Sequence, residues 1–359
     1  MPGVEEVLIV RVRPRAPRDQ WRAVLADDPL ALPDHTPEWV DAVCAGGPFT
    51  DATRLYEFAD GRRFVLPLVR RTGLGGVAGQ LWSLPRSWGA GGLAGPHLDA
   101  DVVRAVVDDL ASLPAVRVVV RPDPLRAEWQ TIAEHPKVHV SPKRAHVLDL
   151  SGGLDAVRAR LAPLTRRNLR TAERLGVRVE VDRDGRLLPV YHRHYDLSVD
   201  RWAAKQNEPL ALARWRAARR DPVGKFDVVA AHMGEAFRHY VAYDGDTPAA
   251  SIIVLFGRTA CYARGAMDRD VAAPVRANDL LQWTAIQDAC AAGCTYYHLL
   301  ETGGSESLAR FKERLGAASV DYCDYRIERL PVTRADKTLR TAVKKVIGFR
   351  DTDNAVARR

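Results

Sequence analysis

The order of apolar segments in the second half of the chain constrains its fold more than any single motif. Helical signals at about 186–201 and 209–219 lead into four segments, FDVVAAHM, AFRHYVAYD, TPAASIIVLFG and RTACYARGAMD. Gly and Asp turns separate them, so they read as consecutive strands of a meander. A long helix follows in NDLLQWTAIQDACAA, with Asn278 as its cap, Gly293 as its end and Leu280, Trp283, Ile286 and Cys290 on its apolar stripe. The strand TYYHLLE comes next. A short helix in SESLARFKERLG, the closing strand SVDYCDYRIERL and a basic helix at 334–347 complete the series. Strands interleaved with helices in this way build a mixed sheet covered by helices.

The first half repeats this α/β grammar more loosely. VEEVLIVRV (4–12) reads as a strand, and helices are expected at 19–25 and 36–45, the second capped by Thr36 with Pro37 at its first position. A hairpin is expected around Asp60-Gly61. A Gly/Trp/Pro-rich loop over 72–98 is long enough to suggest a binding loop. A helix at 99–112 and the strands AVRVVVRP and AHVLDL follow. Ser151 is expected to cap a short helix that Pro163 breaks, and Thr165 to cap RRNLRTAERL, which Gly176 ends before the strand VRVEVD. A length of 359 residues suits two ordinary domains. Direct sequence repetition between the halves is not visible.

Composition narrows the function classes. The net charge is +8, carried by 45 Arg against 8 Lys. Arginine-rich coding bias explains that, and so does a polyanionic partner. There is no run of about 18 apolar residues, so stable membrane insertion is not expected. The N-terminal stretch places acids before a short apolar run, unlike a secretory signal, which points to the cytoplasm. Five cysteines without Cys-x-x-Cys read as free thiols. The absence of His-Glu-x-x-His, Walker A, G-x-S-x-G and G-x-G-x-x-G argues against metal, phosphate-loop and serine-hydrolase chemistry. No helix-turn-helix signal points to DNA.

Three segments carry a family resemblance: LAPLTRRNLRTAERLGVRVEV (161–181), APVRANDLLQWTAIQDACAAGCTYYHL (273–299) and SLARFKERLGA (307–317). Together they resemble the FemABX-like, or BioF2-like, group of tandem GNAT acyltransferases. The resemblance covers about residues 145–325 by motif and the preceding part by architecture. It implies an α/β fold of two tandem GNAT-like domains, each a mixed, mostly antiparallel sheet flanked by helices. The expected boundaries are 1–146 and 147–319, with about 320–359 packing on the first domain. The implied activity is transfer of an activated amino acid from aminoacyl-tRNA to an amine, with no resident cofactor. The acceptor would be a natural-product intermediate or a cell-wall peptide precursor. The coiled-coil arm of some members has no counterpart here.

The resemblance also implies site residues. Lys312 matches the family lysine expected to contact the donor carbonyl or its oxyanion. Glu301, at the end of TYYHLLE, can hold the acceptor ammonium and take its proton. Arg201, with Lys205 nearby, falls where relatives contact an acceptor phosphate. Tyr262 and Arg264 flank Ala263 on a strand, so strict alternation points both the same way. Relatives often carry a second Tyr where Arg264 stands, which tilts the reading to a different, smaller acceptor. Asn278 completes the substrate-binding set. Arg166, Arg167, Arg170 and Arg174 form a basic helical face suited to tRNA phosphates. An acyl-CoA donor is the alternative, weakened because DRDVAAPVRANDLL lacks the Gly-rich pyrophosphate loop of CoA-using GNAT enzymes. A non-catalytic RNA-binding protein on the same scaffold is a third reading.

Overall fold

A computed structural model describes residues 8–71, 79–303, 305–329 and 333. The chain divides into two compact units, one formed by the chain up to Lys143 together with Asp321–Ala335, the other described over Arg144–Val320. The basic helix expected at 334–347 lies outside the described residues.

The first unit contains β1 (Ile9–Pro14), α1 (Arg18–Asp27), α2 (Pro37–Ala45), β2 (Phe49–Asp51), β3 (Arg54–Phe58), β4 (Arg63–Leu66), β5 (Val69–Arg71), β6 (Gln80–Trp82), α3 (Ala100–Ser112) and β7 (Arg117–Val120). The unit boundary falls within β8 (Val138–Asp149). The second unit continues with α4 (Gly153–Arg160), α5 (Pro163–Arg174), β9 (Arg178–Asp182), α6 (Leu188–Gln206), α7 (Leu210–Arg220), α8 (Lys225–Met233), β10 (Phe237–Asp244) and β11 (Thr247–Phe256). It ends with β12 (Ala260–Met267), α9 (Arg269–Val275), α10 (Ala277–Ala291), β13 (Tyr296–Glu301), α11 (Glu306–Arg314) and β14 (Ala318–Glu328), whose last part belongs to the first unit.

In the first unit β1, β3 and β4 form an antiparallel sheet, and β2, β5, β6, β7 and β14 are neighbours in a second, mixed one. Its parallel pair is β6–β7, joined through α3. Helix α3 forms because Val102, Val103, Val106, Val107 and Leu110 recur at helical spacing and are buried, while the Asp99 carboxylate accepts from the N–H groups of Asp101 and Val102. In the second unit the strand order is β9-β10-β11-β12-β13-β8. Its parallel pair is β12–β13, joined through α9 and α10. Helix α10 buries Leu281, Ala285, Ile286 and Ala289 against a core that holds Tyr240, Ile252, Val254 and Tyr297. Ser251, one residue off that face, meets His194 of α6 instead, Oγ to Nδ1 at 2.9 Å. One face of the sheet thus carries α10 and the other α6.

Local structure departs from the sequence reading at several helix starts. FDVVAAHM is helix α8, not a strand. Phe226, Val229, Ala230 and Met233 recur at three- and four-residue intervals and are buried, and Gly224 at φ +85° starts the helix. Helix α5 begins at Pro163, and Thr165 lies inside it, buried, donating to the Arg314 carbonyl at 3.1 Å. Gly152, not Ser151, precedes α4. Asn278 is not a cap, because α10 starts after Arg276 at φ +60° and Asn278 is its second residue. The described part of the Gly/Trp/Pro loop is packed inside the first unit, with Leu84, Trp88, Leu93 and Ala94 buried.

Candidate active site

The site is built where β12 and β13 part. The two strands pair in parallel at Ala260↔Tyr297 and Cys261↔His298, and their ladder stops there. β13 goes on beside β8, first at Tyr296↔Asp149 through His298↔Val147, then, after a shift, at Glu301↔Ala145. Leu300 sits in that shift with φ +56°. A non-glycine residue there costs roughly 1–2 kcal/mol, so something must hold it.

Lys312 holds it. The side chain comes from α11, whose start is fixed by Ser305 Oγ accepting from the Leu308 N–H at 3.4 Å. The Lys312 ammonium donates to the carbonyls of Leu300 and Glu301, both at 2.9 Å. Lys312 is 2% exposed, and burial pushes its pKa down to about 7 against the opposing pull of the Glu301 carboxylate. Lys312 and Glu301, separated by an intervening loop in sequence, are thus brought together. A third group joins them that sequence reasoning missed. His146 of β8 is fully buried, with Nε2 3.5 Å from the Glu313 carboxylate. Burial, and secondarily the Lys312 ammonium, lower its proton affinity. The available signal was a lone His inside the apolar strand AHVLDL.

Tyr262 and Arg264 do not face the same way. Tyr262 lies opposite Val254 and Arg264 opposite Ile253, so Ala263 is the extra residue of a β-bulge. Neighbouring residues of β11 face opposite sides, and so do their partners. Tyr262 packs against the core that includes Val254. A Cβ on Gly265 would lie 2.1 Å from the Tyr262 hydroxyl, so the glycine makes room for that ring. Arg264 instead reaches Asp221, with Nε 3.2 Å from Oδ2 and Nη2 3.2 Å from Oδ1.

Arg201 is half-buried and donates to the Met267 carbonyl at 3.4 Å and to Ser198 Oγ at 3.1 Å, tying α6 to the end of β12. Lys205 is exposed one turn further along α6. Asn278 is half-buried in the first turn of α10, beside Asp279, whose pKa burial raises. Arg166, Arg167, Arg170 and Arg174 are all exposed on α5, opposite its buried Asn168, Leu169 and Ala172. No described helix is long and apolar enough to cross a membrane.

Residues 164–313 match the family model of the acetyltransferase (GNAT) domain. No curated protein sequence matches. Among solved structures, FemX is similar over 88% of this chain and 97% of its own, at 11% identity and TM-score 0.63. A conserved protein of unknown function from Bacteroides thetaiotaomicron is similar over 90% and 100%, at 9% identity and TM-score 0.53. The C-terminal domain of a putative lysylphosphatidylglycerol synthetase from Agrobacterium fabrum is similar over 95% and 98%, at 14% identity and TM-score 0.50. The chain has the FemX fold, two GNAT-like units in tandem, and residues 164–313 of its second unit are similar to the acetyltransferase (GNAT) domain.

Proposed function

We propose that the second unit forms an amide between an amino acid delivered as aminoacyl-tRNA and an amine acceptor, a natural-product intermediate or a cell-wall peptide precursor. The observation that carries this reading is the Lys312 ammonium, pinned at the end of β13 beside the parting of β12 and β13. In the reaction the neutral amine nitrogen bonds to the ester carbonyl carbon, whose oxygen takes up negative charge. Lys312 stabilises that oxyanion with an N–H of its ammonium, a contribution of about 3–4 kcal/mol for a fixed donor. The C–O bond to the ribose then breaks, the amine nitrogen loses one proton and the ribose oxygen gains one. Glu301 holds the acceptor ammonium and accepts its proton.

The basic face of α5 supports a tRNA donor, since four exposed arginines on one helix suit a run of phosphates. The similarity to FemX supports the same reading at the level of fold. An acyl-CoA donor is disfavoured by the start of α10, where Arg276 has a left-handed backbone and Asp279 occupies the first turn. A carboxylate at that position opposes a pyrophosphate. The decisive experiment incubates the protein with total charged tRNA and host extract, following deacylation and the mass of the amide formed. Consumption of acyl-CoA with charged tRNA left intact would refute the proposed donor.

A further inference from the structure

Large apolar side chains left in water are concentrated in one stretch of the second unit. Of the nine among the described residues, five fall between the middle of α6 and the turn after α7: Leu197, Trp202, Leu210, Trp215 and Val223. Single exposed apolar residues need no explanation, whereas a concentration of them marks an interaction surface. Helix α7 sets the pattern. Its buried residues are Ala213 and Ala217, and Trp215, two residues from each, lies on the opposite side. Ala211 and Ala218, four residues before and three after Trp215, are exposed on that same side. Trp215 is 57% exposed, and Val223, just past the end of the helix, 90%.

Charge is layered around this stripe. Residues 209–220 hold four arginines and no acid. Two of the carboxylates that meet them lie beneath. Arg216 pairs with Glu208 at 2.7 Å, and the two side chains are 51% and 1% exposed. Arg220 pairs with Asp221 at 3.2 Å, at 43% and 3% exposed. Arg214 pairs with Asp200 of α6 at 2.7 Å, with both groups at the surface. The Arg219 guanidinium lies over the Trp215 ring, 4.9 Å from its centroid. Guanidinium groups are therefore outermost around an apolar centre.

Size and charge together select the occupant. Helix α7 has 11 residues, so its outer face is a strip about 16 Å long and about 10 Å wide. That is roughly 160 Å², far short of the about 800 Å² that each partner gives to a stable protein interface. A bilayer asks for no shape complementarity. Its headgroup layer takes an indole, its acyl boundary takes small apolar side chains, and its phosphates meet guanidinium groups. No described helix can cross a membrane, so the contact is peripheral.

We propose that the outer face of α7, with Trp215 at its centre and Arg214 and Arg219 beside it, docks the second unit on an anionic lipid bilayer. The docking uses no residue of the Lys312 site and does not rest on the transferase reading. Trp215 and Val223 enter the headgroup layer, and the guanidinium groups meet lipid phosphates. The strip is small, so the attachment is weak, reversible and sensitive to salt.

The test sediments the full chain, freed of nucleic acid, with vesicles of phosphatidylcholine alone and of phosphatidylcholine mixed with phosphatidylserine, at low and at raised salt. The chain is expected to bind the mixed vesicles, to bind them more weakly at raised salt, and to leave phosphatidylcholine alone largely unbound. Trp215→Gln weakens the binding by about tenfold, the loss of a partly buried large apolar side chain. Arg219→Gln weakens it by about fivefold, one cation near an anionic surface. Both side chains are exposed, so both variants keep the parent's melting temperature, which separates lost docking from lost folding. The proposal is overturned if neither vesicle binds the chain, or if Trp215→Gln binds like the parent. It is also overturned if the double variant Arg167→Gln and Arg170→Gln abolishes binding while the α7 variants retain it, which moves the contact to α5. A parent that is dimeric by light scattering, with Trp215→Gln monomeric, makes the face a contact between two copies and overturns it as well.

Discussion

The two units share a device and use it differently. Each has a parallel strand pair joined through helix, β6–β7 through α3 and β12–β13 through α9 and α10. In the first unit the pair is stitched shut beyond its ladder by the chain itself. The Ser83 N–H donates to the Val119 carbonyl at 2.8 Å and the Gly91 N–H to the Arg121 carbonyl at 2.7 Å. The Ala90 N–H is held by the Asp34 carboxylate at 3.0 Å, and Trp88 is buried beside them. In the second unit the ladder stops at Cys261↔His298, and a charged side chain, Lys312, secures the end of β13. The lesson is that one topology serves two ends. A parting filled by backbone and apolar side chains is a stabilising element, whereas the parting bordered by a buried cation is where the proposed transfer takes place.

Four predictions can break or sharpen this contrast. Lys312→Met is expected to lower kcat/KM for amide formation by about 10²–10³-fold, the loss associated with one oxyanion donor. Transfer within a few-fold of the parent would leave the two partings chemically equivalent. In the first unit, Gly89→Ala should cost about 3 kcal/mol of stability and leave kcat unchanged. Gly89 has φ +88°, and an added Cβ would lie 1.9 Å from Asp34 Oδ2. A large fall in kcat measured on folded protein would show that the first unit takes part in the chemistry.

The third prediction concerns pH. Lys312 binds its proton less tightly in the folded chain, at about 7, than at the ordinary lysine value near 10.4. The unfolded chain therefore holds more protons between those values, and the stability contributed by this residue rises with pH across that window, by at most about 1.4 kcal/mol per unit. Denaturant titrations of parent and Lys312→Met at pH 7, 8 and 9 should diverge accordingly. Parallel curves would mean that the buried amine is not the titrating group. The smallest effect is expected on α5. Each of Arg167→Gln and Arg170→Gln should reduce the salt slope of tRNA binding by about one and leave turnover at saturating donor unchanged. An unaltered slope would place the donor elsewhere.

The reach of sequence reasoning differed between strands and turns. The segments from AFRHYVAYD to SVDYCDYRIERL are strands and helices in the order that their periodicity implied, because apolar residues on a sheet or helix face must repeat. FDVVAAHM failed because a short apolar run fits both periods, and only burial against β10 and its neighbours selects the helix. The opposite facing of Tyr262 and Arg264 failed for a different reason. A bulge inserts one residue at a cost that neighbouring strands repay, and no residue type at Ala263 announces it. His146 went unnoticed because its significance comes from Lys312 and Glu313, far away in sequence.

By itself, then, the sequence determined the kind of layers the chain builds, the basic face of α5 and the placing of a lysine after a short loop beyond a strand. These depend on local spacing, which covalent geometry turns into faces. The tertiary structure decided what fills the first unit's parting, where Lys312 spends its hydrogen bonds, and that Arg264 joins Asp221, Lys225 and Arg220. Those outcomes depend on contacts between distant segments and on the low-dielectric surroundings they create, where one charge more or fewer changes what a site can bind.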